Sequence, residues 1–188
     1  MQRLVMFSFA MLVPVAAGIG GVWAQSGSPA VSTAVTKAEI EAVLKYPEGG
    51  GDRQIKVVDV GKLNVAVGVL HRGAVKDTGW PVRGLSHTQV TEVYYITSGA
   101  GTLVTAGTLV DQKPMPADAE VVKVAVGPSI TSASQNGQTR QVAAGDIVVI
   151  PAGMFHGWKE VPDHVTYVSI RPDPDRVLPV GYVNPAIK

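Results

Sequence analysis

The sequence of 188 residues predicts an all-β fold, a barrel or sandwich of short strands with one short helix ahead of it. Three observations carry this reading. Short apolar runs recur between residues 54 and 172, with turn-forming residues between them. Glycine and proline are frequent, at 21 and 13 residues, and helical spacing is confined to one stretch near the start. No strand–helix–strand alternation of the kind that builds a parallel sheet is present, and no internal repeat.

In chain order, residues 1–24 are read first as a targeting segment. One cation, Arg3, precedes an uncharged run from Leu4 to Ala24 that closes on Val22-Trp23-Ala24. This is the pattern of a secretory signal peptide cleaved after Ala24, which directs the mature chain to the periplasm or the outside of the cell. The alternative is a retained anchor, since 21 uncharged residues are long enough to span a bilayer. Residues 25–35 (QSGSPAVSTAV) form a linker of small residues, and the domain runs over 36–188. Thr36-Lys37-Ala38-Glu39 fits a capping box, so a short helix through Ala42 and Leu44 is expected, ended by Pro47 and Gly49-Gly50-Gly51.

Strands follow. Residues 54–60 and 63–72 read as a hairpin across Gly61-Lys62. In the second run Val65, Val67, Val69 and His71 share one face, because strand side chains alternate. Residues 92–107 read as strand, glycine turn, strand, and 112–120 (QKPMPADAE) as a loop or lid. Residues 121–127 (VVKVAVG) read as a strand, 132–142 as a hairpin about Asn136-Gly137, 146–151 as a buried strand and 164–172 as a further strand. The proline-rich tail from Arg171 is expected to lie extended over the surface.

Composition narrows the function. Removing residues 1–24 takes away only Arg3 among the charged groups and leaves 15 basic against 15 acidic side chains. Without clustered cations, nucleic acid and anionic membrane are excluded as partners of the mature chain. With no cysteine, thiolate metal sites and cysteine nucleophiles are excluded too.

Two segments carry spacing that composition does not explain. Gly79 is followed by five residues and Leu85-Ser86-His87, then four residues and Glu92, then six and Gly99. Gly145 is followed by five residues and Pro151-Ala152-Gly153, then two residues and His156. These segments, 79–99 and 145–160, resemble the two cupin motifs. The chain departs twice: Leu85 stands where the first motif has another histidine, and Glu160 where the second closes on asparagine. The resemblance implies a double-stranded β-helix, the jelly-roll cupin barrel, with a metal held inside it by His87, Glu92 and His156.

The residue chemistry agrees. Imidazole and carboxylate suit a divalent transition metal such as Fe, Mn, Zn or Ni, and two histidines with one carboxylate leave coordination positions open. An unpaired carboxylate inside a barrel is costly, so Glu92 needs either a metal or a barrel arginine. Two residues are candidates to replace the missing ligand: His71, if its face is interior, and Gln89, two residues beyond His87. Tyr94 and Trp158 are candidates for the substrate pocket, and Arg72 and Arg83 for binding a carboxylate, with core packing and solvated surface as the respective alternatives. His164 is read as surface. The expected function is an exported metal-dependent cupin acting on a small molecule, with the reaction type open. Leu85 motivates a different expectation, a non-catalytic barrel binding a sugar or organic acid without metal. A third is a structural part of an envelope assembly, and pairing into a homodimer is a further expectation.

Overall fold

The computed structural model describes residues 32–46 and 51–187. The expected signal peptide at 1–24, most of the expected linker, and residues 47–50 of the expected helix stop lie outside the described residues.

The helix α1 (Lys37–Lys45) starts as its capping box requires. Glu39 N–H donates to Thr36 Oγ1 at 3.3 Å, and Thr36 N–H donates to Glu39 Oε2 at 2.8 Å. Such a cap stabilises a helix by roughly 0.5–2 kcal/mol. Ile40, Val43 and Leu44 fall on one face at helical spacing and pack on Ile55 and Val69 of the sheet.

Ten strands follow: β1 (Asp52–Asp59), β2 (Asn64–Arg72), β3 (Val82–His87), β4 (Glu92–Thr105), β5 (Thr108–Pro114), β6 (Ser129–Gln135), β7 (Gln138–Ala143), β8 (Ile147–Ile150), β9 (His156–Glu160) and β10 (Val165–Asp173). They form one antiparallel sheet in the order β1-β2-β10-β4-β9-β3-β6-β5, with β7 and β8 also paired to β4. The sheet curls on itself as a double-stranded β-helix. Its inner face is filled by Leu70, Tyr94, Ile96, Leu103, Ile150 and Tyr167, all buried.

β4 makes the roll possible. It is one continuous strand of 14 residues, where a glycine turn between two strands was expected. Its first half pairs with β10 and β8, and its second half with β7 and β9. Gly99 sits at the crossover with φ +73, and a Cβ there would meet the His164 carbonyl oxygen at 1.9 Å. The glycine therefore bends the strand from one half of the roll to the other rather than reversing it.

Other expectations are corrected. The face of Val65, Val67, Val69 and His71 is not interior. Ala66, Gly68, Leu70 and Arg72 point inward, while α1 covers Val67 and Val69 from outside. Alternation defines two faces, but a helix can bury the outer one. Residues 121–127 are not a strand: Val122–Val126 form one wide helical turn, closed by Gly127 N–H donating to the Val122 carbonyl at 3.0 Å. Val122, Ala125 and Val126 are buried at helical spacing, which the β-branched composition masked. Gln112, Lys113 and Pro114, expected in a loop, end β5. Asn136-Gly137 joins β6 to β7, yet these pair with different strands and form no hairpin with each other.

β8 is not a buried strand either. Ile147 and Val149 are 66% and 62% exposed, because among the described residues β8 pairs only with β4 and nothing covers its outer face. The tail also departs from expectation. Asp173 accepts from the Val177 and Leu178 N–H groups at 3.0 and 2.9 Å, Leu178 is buried, and Ala186 and Ile187 pack beside α1.

Candidate metal centre

Three strand ends converge inside the roll. His87 closes β3, Glu92 opens β4, and His156 opens β9. β9 lies between β3 and β4, with His156 opposite both Leu85 and Thr105. All three side chains are buried, and one ligand atom from each lies within 4.8 Å of the others. Both Nε2 atoms face the same oxygen: His87 Nε2 is 3.2 Å from Glu92 Oε2, and His156 Nε2 is 3.3 Å from it.

The outer partners of the two rings fix their tautomers. His156 Nδ1 faces the Met154 carbonyl at 3.2 Å, an oxygen that can only accept. His87 Nδ1 is 2.8 Å from Ser129 Oγ, whose own proton goes to the Gly127 carbonyl at 2.9 Å. Each ring, when neutral, therefore carries its proton on Nδ1 and directs an Nε2 lone pair at Glu92 Oε2. Three acceptors pointing at one another repel unless a cation lies among them. Neutral imidazole braced at its far nitrogen by a carbonyl or hydroxyl is also the form in which histidine ligates a metal. Burial holds the His87 imidazolium below its ordinary pKa against the opposing pull of Glu92, which disfavours a proton as that cation. The donor set thus fits a divalent metal ion bound by His87, Glu92 and His156.

Glu92 is held from behind. Its Oε1 accepts from Ser169 Oγ at 2.8 Å and Arg171 Nε at 2.9 Å, and its Oε2 accepts from Tyr94 Oη at 2.8 Å. Burial alone would raise the carboxyl pKa; the Arg171 guanidinium beside it outweighs this and keeps the group well below the ordinary range. The barrel arginine foreseen as a partner is Arg171, which takes Oε1, while Oε2 is the oxygen that faces the two imidazoles. Arg171 continues outward to Gln54 Oε1 at 2.8 Å and Asp52 Oδ2 at 2.6 Å. Gly68, inward-facing on β2, leaves room for it: a Cβ there would meet Arg171 Nη1 at 2.8 Å.

The remaining candidates separate. Tyr94, Trp158 and Arg72 line a cavity of about 300 Å³ that opens onto His87 and His156. Arg83 lies at its rim, largely in solvent. His71 is not with them: it faces outward, bonded through Nδ1 to Thr166 Oγ1 at 2.8 Å and stacked on His164. Gln89 is half-buried and neither lines the cavity nor joins the three ligands. Leu85 lines the cavity as a plain apolar wall.

Ser129, Ser169, Arg171, Asp52, Gln54 and Tyr167 were not anticipated from the sequence. A signal existed for two of them. Ser169 and Arg171 continue the face of Val165 and Tyr167, and a cation on a buried strand face demands a partner.

No family model and no curated protein matches the chain. Solved structures that resemble it include a cupin protein from Bacteroides fragilis, at 18% identity over 58% of this chain with a TM-score of 0.35. The match spans 65% of that protein's own length. A protein from Bacillus halodurans is 14% identical over 84% of this chain and 92% of its own, with a TM-score of 0.45. An uncharacterized protein with a double-stranded β-helix domain from Klebsiella pneumoniae is 18% identical over 77% of this chain and 93% of its own, with a TM-score of 0.42.

Proposed function

We propose that this chain is a cupin-type barrel that holds one divalent transition metal on His87, Glu92 and His156 and uses it on a small molecule in the adjoining cavity. The observation that carries the reading is the approach of two buried Nε2 atoms, at 3.2 and 3.3 Å, to a single carboxylate oxygen. A bound ion there would supply Lewis-acid polarisation of a substrate carbonyl or hydroxyl, or a site for dioxygen. The chain's own contribution is positional. Arg171 and Ser169 fix the carboxylate, Ser129 and the Met154 carbonyl fix the rings, and Leu70, Val75 and Trp158 supply the apolar part of the cavity wall.

The test is elemental analysis of purified protein after exposure to Fe(II), Mn, Zn and Ni salts. One ion per chain is expected in the wild type and none in His87→Ala or His156→Ala. A wild type that retains no metal overturns the proposal.

Leu85 supports the second reading, a small-ligand barrel without metal, because it leaves three protein donors where the motif offers four. Ligand binding undiminished in His87→Ala favours that reading over the first.

The proposal extends to export and pairing. Residues 1–24 support secretion, which the mass of protein recovered from the periplasm tests against cleavage after Ala24. Tyr95, Ile147, Val149 and Ile170 form an exposed apolar strip across β8, β4 and β10, which supports a homodimer. Light scattering on the size-exclusion peak tests it.

A further inference from the structure

The cavity above the candidate metal centre is chemically polarised. Its floor is acceptor-rich, for the reason given above. Its wall is donor-rich. Arg72 points inward from β2, half-buried, with Nε donating to Tyr167 Oη at 3.3 Å. Among the described residues its Nη1 and Nη2 have no hydrogen-bond partner and it makes no ion pair. The one carboxylate on the same wall, Asp52, gives Oδ2 to Arg171 at 2.6 Å and keeps a buried Oδ1 with no hydrogen bond, yet it makes no ion pair with Arg72. Tyr167 is buried and accepts from both Arg72 and Trp158 Nε1, the latter at 3.4 Å, while its own hydroxyl proton finds no acceptor among the described residues.

A guanidinium fork and a phenol proton that meet no protein acceptor in a partly open cavity suit an acceptor-rich planar group. The rest of the lining, Leu70, Val75, Leu85 and the Trp158 ring, is apolar. The overall charge agrees. Glu92 and Asp52 balance Arg171 and Arg72, so a divalent ion on the histidines leaves the cavity positive, and Arg83 adds a further cation at the rim.

We infer that the ligand of this cavity is a small hydrophobic carboxylate, its carboxylate on Arg72 and Tyr167, its body against Leu70, Val75 and Trp158, and a hydroxyl or carbonyl directed at the His87–Glu92–His156 pole. Sugars and neutral lipids lack the anionic end that Arg72 selects. The volume, about 300 Å³, is at the low end of the roughly 300–1,000 Å³ usual for ligand pockets, which favours small acids. The inference rests on the proposed reading of this cavity as a ligand site, and metal is measured separately so that the two can fail separately.

The experiment is calorimetric titration of metal-loaded protein with lactate, mandelate and 3-phenyllactate, each beside its amide, with elemental analysis of every sample. At least one acid is expected to bind, and its amide roughly tenfold or more weakly, as loss of a charge-assisted bidentate contact predicts. Arg72→Gln is expected to erase the acid–amide difference with bound metal unchanged, and Arg72→Lys to restore part of it. Equal affinity for acid and amide, no binding of any acid, or full acid preference in a folded Arg72→Gln protein overturns the inference. Acid preference that survives in metal-free His156→Ala upholds the carboxylate site and counts against the metal alone.

Discussion

Leu85 stands directly opposite His156 in the antiparallel pair of β3 and β9. It also shares a strand face with His87, two residues on, and lines the same cavity. A side chain at this position thus faces the cavity beside the two imidazoles, and the leucine makes it a plain apolar wall. Leu85→His is expected to add a third imidazole and tighten metal binding by on the order of tenfold or more, at least the scale of an outer-partner effect. Competition against a chromophoric chelator measures it. Unchanged affinity would show that position 85 is too far from the ion to matter.

Ser129 makes no contact with the candidate ion, yet it holds His87 in the ligating tautomer. Ser129→Ala is expected to weaken metal binding by roughly 10–100-fold, while Ser129→Thr, which keeps the hydroxyl, stays near the wild type. The same competition assay distinguishes this from a general loss of folding.

Arg171 is fully buried between Glu92 and Asp52. Arg171→Met strands two carboxylates and is expected to cost roughly 3–5 kcal/mol of stability, read by urea denaturation of metal-free protein. Adding Glu92→Gln to Arg171→Met is expected to recover part of the loss, because it removes one of the stranded charges. A double variant less stable than Arg171→Met would contradict the pairing.

The metal-free barrel is expected to be acid-sensitive. Burial sets the His87 pKa below its ordinary 6.5, so below that pH the unfolded chain binds the proton more readily and stability falls. The Glu92 carboxyl lies well below 4.5, its burial penalty outweighed by Arg171. Its stabilisation is therefore present above that value and is lost as pH falls through the depressed one. Both act in the same direction. Melting of chelator-treated protein at about pH 7.5 and about pH 5 should show a lower midpoint at the acid end, and metal release should follow the same slope. A midpoint that rises on acidification would contradict the assigned ring states.

What was legible in the sequence followed spacing. The motif intervals brought out His87, Glu92 and His156, and structure brings the three together from separate strand ends. Alternation gave the strands around them, and the capping box gave α1. What was not legible depended on which face of an element meets what. The valine row of β2 is buried under α1 rather than in the roll, so His71 on that row faces away from the ligands. The apolar run at 147–150 carries no sign that its outer face is left open. Residues 121–127 alternate and also keep helical spacing, and only packing decides between the two. Arg171 was hidden because its partners, Glu92, Gln54 and Asp52, come from two strands distant in sequence.

The reach of Arg171 has a consequence for the first strand. β1 lies at one margin of the sheet, hydrogen-bonded to β2 alone among the strands, and a marginal strand is the place where a sheet frays. Asp52 and Gln54 of β1 grip the same guanidinium that steadies Glu92. Occupancy at the heart of the roll and attachment of its outermost ribbon are in this way two readings of one clasp: loosening either end hands slack to the other.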